Sequence, residues 1–279
     1  MGHRLRKPAI CLFSTVLLVL TLCSNEAKAT ASAFARATID WSSFSVDAPS
    51  GSGFVDQFSA SEVETTYFPT PGSSGNIDTG TGSPQSGITP DWGDSSFSSS
   101  QSGGTITGNA STSSGLLQAQ GNVSISTPGE GGQGGGHVVR EGVLNIGADG
   151  TVTISFDYEM VLTLSTDNDG ETAFGDTFIQ AGFVPIGLPG GGARAPMIGP
   201  LTRSNGADFN ETETGTITFS QEFLAGQQLG ISVEAGTFAR ATVEPEDNGD
   251  NDIPEPSTAL LLLGGLVTLG LLRFRCTAA

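Results

Sequence analysis

The chain has 279 residues and carries 29 acidic side chains against 11 basic ones, which gives a formal net charge of −18. Its length allows one large all-β domain or two small domains. The strongly negative charge argues against a nucleic acid partner, because phosphate binding needs a basic surface. Between Thr30 and Pro254 five basic residues face 27 acidic ones, and this part holds neither Lys nor Cys. Cys–His catalysis, lysine Schiff bases and cysteine-bound zinc are therefore excluded there.

Residues 1–29 have the layout of a secretory signal peptide. A basic start at residues 4–7 precedes an apolar run of 13 residues at 10–22, and Ala27 and Ala29 then provide the small residues that signal peptidase recognises. A membrane-spanning helix needs about 20 residues. We therefore expect cleavage after Ala29, with an uncleaved N-terminal anchor as the alternative.

The body, residues 30–243, is predicted to be all-β. Its clearest element is Thr151–Ser165, where apolar and polar residues alternate as in a strand with one buried and one wet face. A preceding strand at 138–146 leads into Asp149-Gly150, a pair that favours a hairpin turn. Alternation also predicts strands at 217–223 and 229–243, and weaker strand patterns occupy 35–46, 117–125 and 174–183. Since no segment has helical periodicity, we expect an antiparallel β-sandwich or jelly roll, held without disulfides.

Three stretches of the body, 71–115, 129–136 and 185–200, are rich in Gly, Ser or Pro. Such segments bury too little apolar surface to offset their ordering entropy, so they are predicted to be flexible surface loops. His137 follows three glycines and is interpreted as an exposed loop histidine, because the body lacks a Gly-x-Ser-x-Gly nucleophile elbow. The run at 131–136 also lacks the Gly-Lys ending of a phosphate-binding loop.

Two groups of carboxylates are candidates for chemistry. Asp157 and Glu159 share the polar face of one strand, about 7 Å apart by strand geometry. Paired carboxylates can hydrolyse glycosides, although a solvated sheet face is the simpler interpretation. Asp167, Asp169 and Glu171 lie in the loop that leaves this strand and form a candidate weak Ca²⁺ site. Their spacing does not match an EF-hand, so an acidic turn is the alternative, and no other cofactor is predicted.

The chain ends in an acidic segment, 244–253, which predicts an extended, self-repelling linker. Pro254-Glu255-Pro256 follows, then an apolar stretch at 258–272, and then Arg273 and Arg275. As a helix, its residues 259–272 would span about 21 Å, which is shorter than a hydrocarbon core of about 30 Å. The basic residues at both chain ends should stay cytoplasmic, so the body is expected across the membrane.

Residues 254–279 resemble a PEP-CTERM sorting signal, because tripeptide, apolar helix and basic cluster follow one another at the chain end. The resemblance does not cover the body. It implies a Gram-negative-type bacterium and transient insertion into the inner membrane. It further implies cleavage near Pro254-Glu255-Pro256 by an exosortase, a membrane-embedded cysteine transpeptidase-like enzyme, and delivery to the cell surface or an exopolysaccharide matrix. An ordinary C-terminal membrane anchor is the alternative.

Three functional hypotheses follow for the body. The leading one is a non-enzymatic exported protein of the cell surface or extracellular matrix, associated with extracellular polysaccharide. The second is a carbohydrate-binding module in which Trp92 and Tyr67 stack on sugar rings. The third is a glycoside hydrolase that uses Asp157 and Glu159.

Overall fold

The computed structural model describes residues 30–68, 85–167, 170–186, 198–204 and 208–245. These residues belong to one compact unit, Ala29–Pro245. They form strands and turns only, and no helix able to span a membrane occurs among them. The all-β prediction is confirmed for this part of the chain. The predicted signal peptide and sorting helix lie outside the described residues.

The described residues form twelve strands in two six-stranded antiparallel sheets, as expected for a β-sandwich. The strands are β1 (Ala31–Asp47), β2 (Gly53–Phe68), β3 (Gln85–Pro90), β4 (Ser95–Ser102), β5 (Thr105–Ser113), β6 (Leu116–Ile125), β7 (Gly131–Asn145), β8 (Gly150–Thr166), β9 (Glu171–Ile186), β10 (Ile198–Ser204), β11 (Phe209–Phe223) and β12 (Gln228–Val243). The first sheet has the order β11-β8-β1-β6-β5-β4, and the second has the order β10-β9-β12-β7-β2-β3.

The chain enters and leaves the sandwich at the same end. Ala31 at the start of β1 pairs with Ile125 at the end of β6. Val243 at the end of β12 exchanges backbone hydrogen bonds with Gly129 and Glu130, in the loop that follows β6. We call this the entry end. The opposite end, which contains the turn between β3 and β4, is called the far end.

Two clusters of buried side chains fill the space between the sheets. The cluster towards the far end contains large side chains, among them Trp41, Phe156 and Phe183. The cluster towards the entry end is dominated by smaller residues and includes both Ala31 and Val243. The buried residues alternate along the strands. In β1, the odd-numbered residues from Ala31 to Ile39 are at most 1% exposed, and the residues between them lie on the outer face and are partly exposed.

Glycines bring the two sheets into backbone contact. A Cβ atom added to Gly136 of β7 would lie 2.2 Å from the carbonyl oxygen of Asn109 in β5, and one added to Gly134 would lie 2.5 Å from that of Thr107. From the other side, a Cβ on Gly121 of β6 would lie 2.3 Å from the oxygen of Gly134. Only glycine fits at these positions, because any side chain would collide with the backbone of the facing sheet.

The prediction of flexible loops at 71–115 and 129–136 is therefore wrong for the parts of these stretches that form strands. Residues 85–90, 95–102 and 105–113 are strands β3, β4 and β5, and residues 131–136 begin β7. Of the third stretch, 185–186 ends β9 and 198–200 begins β10, while 187–197 lie outside the described residues. The glycines at 131–136 make the composition of this segment resemble that of a loop, but Gly134 and Gly136 allow close packing between the two sheets.

The predicted hairpin at Asp149-Gly150 is also wrong. The chain does bend at Ala148 and Asp149, and Gly150 begins β8. However, β7 belongs to the second sheet and β8 to the first, so this turn crosses the sandwich. The turn between β11 and β12 crosses in the same way. β4–β5 and β5–β6 are hairpins within the first sheet.

Candidate functional site

The residues predicted for processing and metal binding are only partly within the described chain. Ala27, Ala29, Pro254, Glu255, Pro256, Arg273, Arg275 and Asp169 lie outside it. Of the remaining calcium candidates, Glu171 is 5% exposed and accepts a hydrogen bond of 2.6 Å from the backbone N–H of Asp167. Within the described ranges no group of three or more His, Cys, Asp or Glu side chains is placed to hold a metal ion.

The outer face of the first sheet is covered mainly by hydroxyl and carboxamide side chains, and we call it the hydroxyl face. On β11 it presents five hydroxyl residues, one at every second position. On β6 and β5 polar residues also occupy every second position, and the residues between them are buried. The members on these strands are Thr212, Thr214, Thr216, Thr218 and Ser220 on β11, Gln118, Gln120, Asn122 and Ser124 on β6, and Thr105, Thr107, Asn109, Ser111 and Ser113 on β5.

Hydrogen bonds between strands hold part of the hydroxyl face in place. Ser220 and Thr153 share a hydrogen bond of 2.7 Å between their hydroxyl oxygens, and Thr218 and Ser155 share one of 2.8 Å. These pairs lie opposite each other in the uninterrupted register of β11 and β8. Cross-strand hydroxyl pairs of this kind stabilise a sheet modestly. Each hydroxyl has one donor and two acceptor positions, so bonding capacity remains for an external group.

Strand β1 runs through the middle of the hydroxyl face and carries its least satisfied polar groups. Arg36 forms an ion pair with Glu159 of β8, in which both side chains are about one-third exposed. The Nε of Arg36 and the hydroxyl oxygen of Thr38 are buried atoms that lack a hydrogen-bond partner. In the sheet register Arg36 lies opposite Gln120 of β6, and Thr38 lies opposite Gln118. This centre therefore combines one ion pair, two carboxamides and two unsatisfied polar atoms.

Asp157 and Glu159 share the hydroxyl face, as the alternation of β8 predicted, but they have different partners. Asp157 accepts a hydrogen bond of 2.5 Å from Thr216, and its backbone N–H donates to Ser43 at 2.8 Å. Glu159 is engaged by Arg36. Both project from an open sheet face. Their position favours the interpretation as a solvated sheet face over an acid–base pair around a scissile bond.

A buried arginine organises the far end of the sandwich. Arg140 of β7 is 1% exposed. One terminal nitrogen donates to the carbonyl oxygens of Trp92 and Ser113, each at 2.9 Å, and Nε donates to the Ser59 hydroxyl at 3.2 Å. Its guanidinium carbon also lies 4.7 Å from the ring centre of Trp41. Burial lowers the pKa of Arg140, and the charge of nearby Asp94 opposes this shift. We interpret Arg140 as an anchor for the turn between β3 and β4.

Neither aromatic residue proposed for sugar stacking is presented as a free platform. Trp92 takes a positive φ of 52°, which is unusual for a bulky residue. Its Nε1 donates to the carbonyl oxygen of Glu141 at 2.7 Å, and its ring packs edge-on against Trp41 and Phe54. Tyr67 packs against the entry-end cluster, and a hydrogen bond to Glu130 raises the pKa of its phenol.

The outer face of the second sheet differs from the hydroxyl face because its side chains pair with one another. His137 lies in strand β7, not in a loop as predicted, and its Nε2 is 3.0 Å from the carboxylate of Glu234. Phe178 covers Gly236, whose added Cβ would lie 2.2 Å from that ring. A shallow groove of about 240 Å³ also opens on this face, and Phe58 is its aromatic member. The groove is lined by Asp56, Phe58, Glu141, Gly142, Val143, Gly230, Ile231 and Ser232.

Neither Arg140 nor the centre of the hydroxyl face was predicted from the sequence. Arg140 has the same parity as Val138 and Leu144, so alternation along β7 could have placed it inside. Alternation in β1 likewise places Arg36 and Thr38 outside. Their proximity to the carboxamides of β6 depends on the strand order, and the strand order cannot be deduced from a local sequence pattern.

No family model, curated protein or solved structure matches this chain.

Proposed function

We propose that the chain is a non-enzymatic exported protein, processed at both ends and delivered to the cell surface or extracellular matrix. The observation that carries this proposal is the extent of the folded unit. The strands begin at Ala31, just after the predicted signal-peptidase site, and end at Val243, just before the acidic linker. Both buried clusters lie within this unit. Removal of the two predicted address segments would therefore leave all twelve described strands in the mature chain.

The composition of the body is consistent with that of an exported protein. Its core is built by burial of alternating strand residues, without any cysteine between Thr30 and Pro254. The released body keeps its negative charge and loses the basic residues of the two ends, so it repels polyanions and remains soluble. The resemblance of residues 254–279 to a sorting signal supplies the route, with signal peptidase and an exosortase as the processing enzymes.

Mass spectrometry of the mature protein tests this proposal. Expressed in a bacterium that has an exosortase, the full chain should yield a form that starts at Thr30 and ends near Pro254-Glu255-Pro256. A variant with alanine at positions 254, 255 and 256 should keep its C-terminal end and remain in the membrane fraction. A matched variant with alanines at Asn248, Gly249 and Asp250, in the predicted linker, should be processed normally. Mature protein that retains Arg273 and Arg275 would contradict the proposal.

A further inference from the structure

We propose that β11 is a dimerisation strand, which pairs antiparallel with β11 of a second copy of this chain. The two first sheets would then join into one continuous sheet of twelve strands, since each copy contributes six. The inference concerns the folded unit alone and does not depend on export. A body that stays monomeric would therefore leave the proposal on processing untouched.

The first argument is the open edge of the first sheet. β11 is an end strand of this sheet, and β8 is its one neighbour among the described strands. An end strand presents a row of backbone N–H and C=O groups on the side away from its neighbour, and this row is a template for another β-strand. β11 has 15 residues, and its register with β8 is uninterrupted. The chemistry of this edge therefore fits a long β-strand as partner.

The second argument is a comparison with the other three end strands, which carry features that hinder such pairing. β3 has six residues and ends at Pro90, and β10 has seven residues, contains Pro200 and has an irregular register with β9. β4 has eight residues, and the ring of its Phe97 lies against β3, where a Cβ on Gly87 would be 2.5 Å away. Short length, prolines and irregular register are common protections of sheet edges. β11 is nearly twice as long as β4 and contains no Pro, Lys or Arg.

The third argument is the sequence of β11, in which the residue types are nearly symmetric about the midpoint. The strand runs from Phe209 to Phe223, so its midpoint is Thr216. If Thr216 lies opposite Thr216 of the second copy, a two-fold axis passes between them and all 15 residues have a partner. Phe209 is then opposite Phe223. The remaining pairs are Asn210 with Glu222, Glu211 with Gln221, Thr212 with Ser220, Glu213 with Phe219, Thr214 with Thr218, and Gly215 with Ile217.

This register matches the side chains of the two copies. Each of the three glutamates of β11 lies opposite an uncharged residue, and two of them lie opposite a carboxamide, which can donate a hydrogen bond to the carboxylate. On the outer face, hydroxyl residues lie opposite hydroxyl residues. The same arrangement already joins β11 to β8, where Thr218 bonds to Ser155 and Ser220 bonds to Thr153. Such cross-strand pairs stabilise a sheet, so β11 fits a second copy of itself.

Long-range charge opposes the pairing. Each body carries a net charge of −22 between Thr30 and Pro254, so two copies repel each other. Salt screens this repulsion, because the Debye length falls to about 10 Å at 0.1 M ionic strength. We therefore expect a weak dimer whose dissociation constant falls as the NaCl concentration rises.

Sedimentation velocity of the unit from Thr30 to Pro245, which contains all twelve described strands, tests the proposal. At about 10–100 μM protein, the wild type should show a concentration-dependent equilibrium between monomer and dimer. Its dissociation constant should fall severalfold between about 50 and 500 mM NaCl. Hydrogen exchange gives a second measurement that needs no variant. Amides of β11 should exchange more slowly at about 100 μM than at about 1 μM protein, because the dimer adds hydrogen bonds to this strand.

A charge series tests the register. Thr212 and Ser220 are exposed, and each lies opposite the other in the second copy. Thr212→Glu with Ser220→Glu places like charges opposite each other twice and should raise the dissociation constant about tenfold. Thr212→Lys with Ser220→Glu places opposite charges there and should dimerise at least as tightly as the wild type. Thr105→Glu with Thr107→Glu is the matched control. It adds the same charge to the same face on β5, an inner strand, and should change the dissociation constant less than about threefold.

Several outcomes would overturn the proposal. A wild type that stays monomeric at about 100 μM protein and 500 mM NaCl would do so. Equal weakening by the double glutamate variant and its control would show that the dimer responds to net charge and forms elsewhere. A lysine–glutamate variant that dimerises no better than the double glutamate variant would refute the register centred on Thr216. Equal hydrogen exchange of β11 in monomer and dimer would exclude this strand from the interface. Thermal unfolding of each variant shows whether lost dimerisation is lost folding.

Discussion

Replacing Gly136 with alanine should destabilise the sandwich by forcing the two sheets apart. The added Cβ would lie 2.2 Å from the carbonyl oxygen of Asn109 and 3.0 Å from its carbonyl carbon. Ordinary contacts of a Cβ begin at about 3.4 Å, so the overlap exceeds 1 Å. The obstacle is backbone, which cannot rotate away as a side chain could. Strand β5, which carries Asn109, is also fixed on both sides by β4 and β6.

The expected cost lies at the upper end of that for overpacking, about 3 kcal/mol. For a unit of this size, such a loss lowers Tm by about 6–12 °C. Differential scanning calorimetry and urea unfolding of the unit from Thr30 to Pro245 would measure it. Gly121→Ala should behave similarly, because its Cβ would meet the oxygen of Gly134 at 2.3 Å from the facing sheet.

Gly53→Ala is the matched control. Gly53 begins β2, and a Cβ placed there meets nothing within 4 Å. Alanine at such a position restricts the unfolded chain and should change stability by less than about 1 kcal/mol. If Gly136→Ala and Gly53→Ala have the same unfolding free energy within error, the glycines do not set the distance between the sheets. The account of residues 131–136 as a packing element would then be wrong.

Two further predictions concern a pair of tyrosines and Arg140. Burial raises the pKa of Tyr158, with a contribution from Glu213, and the bond to Glu130 raises that of Tyr67. Their tyrosinate absorbance should therefore titrate above the unfolded value of about 10. The contribution of the two protonated phenols to the free energy of unfolding is complete below a pH of about 10 and is lost as the pH rises through their folded-state pKa values. The same titration midpoint in buffer and in urea would contradict the raised pKa values. Arg140→Met should cost about 2–4 kcal/mol in urea unfolding, because two buried carbonyls lose their donor; wild-type stability would refute the role of Arg140 as an anchor.

Local alternation explains how much of the fold could be predicted. The sequence predicts a strand at Thr151–Ser165, and these residues occupy nearly all of β8. This prediction succeeds because consecutive residues alternate between apolar and polar side chains. Alternation did not identify the glycine-rich start of β7 as a strand. Their composition is shared by flexible loops and by strands pressed against a neighbouring backbone, and only the facing residues Thr107 and Asn109 distinguish the two.

Strand order explains what could not be predicted. The Asp149-Gly150 turn reverses the chain, and turn chemistry alone cannot decide whether the next strand joins the same sheet or the facing one. The centre of the hydroxyl face depends on the same information. Arg36 and Gln120 are far apart in sequence, and their proximity follows from the pairing of β1 with β6. Alternation predicts which side each residue faces, and long-range pairing decides its neighbours.

The shared exit of both chain ends has a mechanical consequence. Ala31 leaves from the first sheet and Val243 from the second, both at the entry end. A force that pulls these two ends apart acts across the sandwich and not along its strands. It would load the hydrogen bonds of β1 and β12 one after another, starting at Ala31 and Val243. The body should therefore begin to open at the entry end when it is stretched by its own tails.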